Sequence, residues 1–259
     1  MKKILGLSAL LALGVSAPAM AQGMVVLAPG GGTASNTSSQ PTQFLNTDTA
    51  QVLPDGQGYL MVGGGAAPMA NMPAMMTGTV PGAALNYMRG MGNNGEFSFG
   101  LGLGYMSNPS AFNGAIGLGW KQSFSQMVAG NIALGLGGVG SGTTTLDGMV
   151  GLPISVGSFV IDPRLEFPTL VGGGSATAGS SVQVALGYQT PIATNWSFLG
   201  DVVPTYGLNG GGFSLPLGLG LRFSPTSTSA VDFDIVNLGI TPGFTANVGL
   251  LGVTGWVGF

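Results

Sequence analysis

From about Gly56 onward the chain alternates apolar residues with small or polar ones at every second position, and this pattern restricts its folding more than any other feature. A period of two places alternate side chains on one face of a β-strand. Phe97, Phe99, Leu101, Leu103 and Tyr105 interleave with Glu96, Ser98, Gly100, Gly102 and Gly104. Phe159, Ile161, Pro163, Leu165 and Phe167 oppose Val160, Asp162, Arg164 and Glu166. Phe213, Leu215, Leu217, Leu219, Leu221 and Phe223 oppose Ser214, Pro216, Gly218, Gly220 and Arg222. The alternation predicts strands near 56–64, 82–90, 96–106, 112–121, 124–136, 144–156, 158–167, 181–190, 195–207, 212–223, 230–238 and 247–259. That makes about twelve, with ten to fourteen compatible with the pattern.

The positions of the charges say what the two faces meet. Glu96, Lys121, Asp147, Asp162, Arg164, Glu166, Asp201, Arg222, Asp232 and Asp234 all fall in the polar phase, and only Arg89, beside Tyr87, departs from it. A cation at mid-depth on the lipid face of a barrel costs roughly 2–4 kcal/mol, which accounts for one face free of charge. Charged residues make up 6% of the chain, against about 25% in soluble domains. No run of about 20 apolar residues follows Gln22, so no transmembrane helix can be drawn. In hydrocarbon only helices and closed barrels pair every backbone polar group. The expected fold is therefore all-β, a transmembrane antiparallel up-and-down β-barrel over residues 56–259. Alternate connections are short, around Gly92–Gly95, Gly157 and Thr190–Asn195, while others, such as 168–180, are longer.

Aromatic residues favour the two membrane interfaces, and here they gather at strand ends. Trp120, Phe124, Tyr188, Trp196, Phe223 and Phe259 belong to one expected girdle; Tyr105, Phe112, Phe167, Tyr206 and Phe213 belong to the other. Residues 1–21 read as a secretory signal peptide: Lys2 and Lys3, an apolar run from Ile4 to Val15, then Ala19 and Ala21 before cleavage. Removing them leaves 4 basic and 9 acidic groups, since the segment holds two of the 6 cations and none of the acids. Residues 22–55 are rich in Ser, Thr, Gln, Asn and Gly without sustained periodicity, and are expected to form a flexible N-terminal segment. A plug folded into the lumen is the alternative.

The signal peptide, the alternating strands and an ending of Leu251, Val253, Gly255, Val257 and Phe259 together resemble bacterial outer-membrane β-barrel proteins. The resemblance covers roughly residues 56–259 and identifies the class, not a subfamily. It implies a location in the bacterial outer membrane, contact with outer-membrane lipid, and an assembly signal at Val257 and Phe259 read by the barrel-assembly machinery. The oligomeric state stays open.

The chain has no His and no Cys. That rules out imidazole-dependent triads, thiolate zinc sites, disulfides and lipidated cysteine, so no enzyme, no cofactor and no metal centre is expected. A slightly acidic balance argues against nucleic acid, which needs a basic footprint. Glycines in the polar phase, Gly100, Gly102, Gly104, Gly117, Gly119, Gly135, Gly137, Gly218 and Gly220, fill no space, so a barrel of this size could keep a narrow water path. They could equally serve curvature and close strand packing. Asp162, Arg164, Glu166, Asp201, Arg222, Asp232 and Asp234 are the candidate lumen-lining residues, either as structural ion pairs or as a constriction that sorts solutes by charge. The expected function is a passive, porin-like channel for ions or small polar solutes with weak cation preference. The alternatives are a non-conducting structural or adhesive barrel and a Gly-rich secreted β-fibre. Met69, Met72, Met75 and Met76 fall in the first long loop and read as adaptable apolar packing more readily than as a copper(I) site.

Overall fold

The structure, a computed structural model, describes residues 48–259 apart from 69–78, 108–109, 140–143, 173–179, 209–211, 227, 241–245 and 250. The expected signal peptide, residues 22–47 and the Met-rich loop lie outside the described residues. So do the side chains of several strand ends, Tyr105, Phe112 and Asp234 among them.

Twelve antiparallel staves follow one another around the wall. They are β1 Gly58–Pro68, β2 Thr79–Gly90, β3 Gly95–Ser107, β4 Ser110–Ser123, β5 Ala129–Val139 and β6 Thr144–Gly151 continued by Ile154–Val156. Next come β7 Phe159–Gly172, β8 Ser181–Ala193, β9 Trp196–Val202 continued by Thr205–Gly207, β10 Gly212–Thr226, β11 Ser229–Ile240 and β12 Ala246–Gly249 continued by Leu251–Gly258. Each stave pairs with the next, and β12 returns to β1 with Tyr59 opposite Gly258 and Ala66 opposite Leu251, so the sheet closes on itself. Phe259 finishes the seam, exchanging backbone bonds of 3.0 Å in both directions with Gly58.

Two of the interruptions have a covalent cause. Pro153 and Pro204 carry no N–H, so β6 and β9 each lose a rung there. Their carbonyls still accept, Pro153 from Ala129 N and Pro204 from Val184 N, each at 3.0 Å, and pairing resumes beyond. The turns at the end carrying both barrel termini are tight and use the residues such turns require. Gly157 adopts φ 59° between β6 and β7, Asn195 φ 66° between β8 and β9, and Gly92, Asn93 and Asn94 are all left-handed between β2 and β3. Asn195 is followed by a register shift at Trp196, the extra-residue geometry of a three-residue hairpin. The strand expected over 124–136 begins later, at Ala129, because Ser125 Oγ accepts from Met127 N and Val128 N and bends residues 124–128 into a turn.

The faces are inverted relative to a soluble protein. Leu60, Leu118, Leu134, Val150, Ile161, Val184 and Val253 are exposed on the outer wall, while Glu96, Lys121, Asp162, Arg164, Asp201, Arg222 and Asp232 are buried within. Arg89 is exposed on the outer face, one residue from the end of β2. At the short-turn rim, Tyr87 stacks near Phe259 (6.2 Å), Phe159 on Tyr188 (4.7 Å) and Trp196 on Phe223 (4.9 Å), with Trp120 and Phe124 exposed nearby. Toward the other rim, Phe167, Tyr206 and Phe213 are exposed. Trp196 and Tyr206 lie ten residues apart on β9, about 33 Å along a strand and roughly 25 Å along the axis at a tilt near 40°, the height of an apolar membrane band.

Leu134 is 58% exposed at mid-wall, beside Leu118. Leu134→Arg is expected to lower the stability of the folded barrel in lipid by about 2–4 kcal/mol, read from denaturant titrations in vesicles. Leu134→Phe should leave it nearly unchanged.

Candidate functional site in the barrel lumen

Period-two geometry sends Glu96 of β3, Lys121 of β4, Asn131 of β5, Gly151 of β6, Arg164 of β7 and Gln183 of β8 into the lumen, and the register sets them opposite one another in a continuous row. Asp162 projects two residues before Arg164 on β7 and holds the Arg164 Nε at 2.6 Å. On the far wall Arg222 of β10 makes a two-pronged contact with Asp232 of β11, Nε to Oδ1 at 2.7 Å and Nη2 to Oδ2 at 2.8 Å. These side chains lie within a few residues of the short-turn rim and are almost wholly shut off from solvent, Asp162 at 0% and Arg222 at 1% exposure. Leu199, Ala185 and Tyr59 fill the spaces between them. Inner residues toward the opposite end, Asp147, Glu166, Thr205 and Ser214, are half-buried. The lumen is thus packed at one level and looser beyond it, where Gly102, Gly104, Gly135 and Gly137 form much of the wall.

The packing is completed by part of segment 22–55, expected from its composition to be flexible. Residues 48–53 instead enter the barrel, and Asp48, Thr49, Ala50, Val52 and Leu53 are buried there. The cause is a set of specific partners. Lys121 Nζ donates to Asp48 Oδ1 at 3.1 Å and Asn131 Nδ2 to Asp48 Oδ2 at 2.9 Å, and the Asp48 main chain lies beside the Asp162 carboxyl. Ala50 N donates to Ser155 Oγ at 2.9 Å, and Leu53 N donates to Glu96 Oε2 at 2.8 Å. Leu53 also packs with Tyr59, Met61, Met88 and Ala230, an apolar cluster on the lumen side of β1, β2 and β11. Beside Asp48 a void of about 10 Å³, room for one water, remains among Glu96, Ser98, Lys121 and Asn131.

Glycine permits close approach at two places inside the barrel, at Gly90 to the insert and at Gly151 to neighbouring wall side chains. A Cβ on Gly90 of β2 would collide with the Pro54 carbonyl oxygen and come within 2.6 Å of that of Leu53. One on Gly151 would collide with the Asn131 amide and approach Asp162 Oδ1 to 3.1 Å.

No family model matches the chain, and no curated protein matches it significantly. Solved structures do match in shape. An outer membrane channel from Pseudomonas putida F1 superposes with a TM-score of 0.56 at 9% identity, over 80% of this chain and 97% of that one. The KdgM porin gives 0.53 at 8% identity over 78% and 99%, and the NanC porin 0.53 at 11% over 77% and 98%. The chain has the fold of bacterial outer-membrane β-barrel channels.

Of the sequence-predicted lumen residues, Asp162 and Arg164 meet each other, Arg222 meets Asp232, and Glu166 accepts from Ser181 Oγ at 3.1 Å. Asp201 is buried on the inner face of β9. The centre of the first cluster is not among the residues the sequence singles out. Glu96 and Lys121 are readable as inward charges, but Asp48, which joins them to Asn131 and Asp162, lies in a stretch without periodicity. A faint signal exists: Asp48 and Asp55 are the only charges between Gln22 and Gln57.

Asp232→Ala removes the two-pronged partner of a buried guanidinium. It is expected to destabilise the barrel by about 3 kcal/mol, measured by urea titration in lipid vesicles, and a double variant that also carries Arg222→Met should recover most of that loss. Non-recovery would show that Arg222 is held chiefly by other groups.

Proposed function

We propose that this protein is a passive channel of the bacterial outer membrane for ions or small polar solutes. One observation carries the reading: a closed barrel whose apolar outer wall carries, among the described residues, no charge but Arg89 beside the rim keeps its other ionised groups on the inside, an arrangement that suits a polar path through lipid. The fold shared with the Pseudomonas putida outer membrane channel and the two porins supports it. In this reading residues 1–21 direct export, the short turns face the periplasm as in barrels of this type, and the aromatic rims, Trp120, Tyr188 and Trp196 on one side and Tyr206 on the other, sit at the interfaces. The barrel-assembly machinery reads the terminal strand through Val257 and Phe259.

Inner acids outnumber inner cations: Glu96, Asp147, Asp162, Glu166, Asp201 and Asp232 with Asp48, against Lys121, Arg164 and Arg222. The path therefore prefers cations weakly. The packed layer at the short-turn end favours a second state of the same molecule, one that conducts little.

The test is conductance of the purified full-length protein in a planar bilayer under a KCl gradient. Discrete current steps with a reversal potential displaced modestly toward that of K⁺ are expected. A reversal potential displaced toward that of Cl⁻ would overturn the cation preference, and silence under every applied voltage would count against an open path in the native chain.

A further inference from the structure

We propose that residues 48–53 are a releasable latch that closes the lumen from within, with Asp48 as the group that holds it shut. This inference rests on the channel reading and goes beyond it by locating the gate.

The segment is held in a way that can be undone without breaking the barrel. Residues 48–54 belong to no strand. Immediately after them the chain is fixed by backbone bonds, Gly56 N to the Gly90 carbonyl at 3.0 Å, Gly90 N to that of Gln57 at 2.9 Å and Gly58 N to that of Phe259 at 3.0 Å. A turn closed by Gln57 N on the Pro54 carbonyl, with Gly56 at φ 74°, joins the two parts. The fixed end and the free end thus meet at a hinge. Before it, the anchors lie on side chains of successive staves: Glu96, Lys121, Asn131, Ser155 and Asp162.

The wall is prepared for either position of the segment. When Asp48 leaves, Lys121 keeps Glu96, whose Oε1 is 3.8 Å away, and Arg164 keeps Asp162 at 2.6 Å. Neither buried cation is stranded, so opening avoids the large penalty of an unpaired charge. Asp48 and Leu53 N exchange their wall partners for water. The two arrangements then differ by the Lys121–Asp48 ion pair, a few hydrogen bonds and the burial of Ala50, Val52 and Leu53, so loss of Asp48 shifts the balance toward the open one. The notch at Gly90, which admits the Leu53 and Pro54 carbonyls, shows a wall shaped to the inserted chain.

The chain has no cysteine, so a pair introduced as Ala50→Cys with Ser155→Cys can be read without interference; Ala50 N lies 2.9 Å from Ser155 Oγ. In full-length protein in planar bilayers, the oxidised pair is expected to conduct far less than the same molecules after reductant, while Ser155→Cys alone is indifferent to it. Asp48→Ala and Asp48→Asn, each checked for folding by heat-modifiable gel mobility, should raise the open fraction by at least about tenfold, the ratio carried by one hydrogen bond to a charged group. Three results would overturn the latch. Failure of the disulfide to form would place residue 50 away from residue 155. If the oxidised pair, the reduced pair and both Asp48 variants all conduct like the native chain, the channel reading stands and the latch alone fails. If neither the reduced pair nor any Asp48 variant conducts, the channel reading fails and the latch with it.

Discussion

Every peptide group that crosses hydrocarbon must find its hydrogen-bond partner within the protein, and a sheet satisfies this only by having no edge. Here the requirement is met by the pairing of β12 with β1, completed by the mutual bonds of Phe259 and Gly58. Closure then assigns roles to the two faces. Alternate residues must meet either lipid or the lumen, and a one-residue slip would exchange the two sets along a whole strand. That coupling explains why so few charges suffice to define the molecule. Each inward charge, such as Asp162 between the exposed Ile161 and the outward Pro163, also pins the register of its strand.

What is legible in the amino-acid sequence follows from the same coupling. The faces, the twelve staves and their turns are local properties, written in the period of two and in residues such as Gly157 and Asn195, so the order of residues alone displays them. Ion pairs between near neighbours are also within reach: Asp162 with Arg164 two residues apart on one strand, and Arg222 with Asp232 across a short turn. Contacts through the lumen are not. Asp48 meets Lys121 at a separation of 73 residues and Asn131 at 83, and Ala50 meets Ser155 at 105. A periodicity argument says which way Lys121 points but not what approaches from the axis. The segment that approaches has no period of its own, and its composition alone resembles that of a disordered tail. The turn at 124–128 escapes the periodic pattern for a smaller reason, a serine side chain capturing backbone donors.

The inward glycines acquire a clearer meaning once the packed layer is located. Gly90 and Gly151 are contact glycines, each removing a Cβ that would strike a specific neighbour. Gly102, Gly104, Gly135 and Gly137 lie toward the other end, where the inner wall is half-buried. One residue type thus serves two ends: close approach beside the insert, and width beyond it.

This division bears on how the proposed channel, with so little charge, would select. Charge in the looser half is sparse among the described residues, Asp147 and Glu166 among glycines, and water in the proposed path would screen it within about a Debye length. Near the short-turn rim the ionised groups are packed against protein, where screening is weak and each pair acts at short range. In the proposed channel, discrimination between solutes would concentrate where the insert lies, and so would resistance to their passage. On the latch proposed above, both quantities would follow whatever moves Asp48, and the arrangement of Lys121, Asn131 and Asp162 would matter more to permeation than the number of staves or the area of the wall.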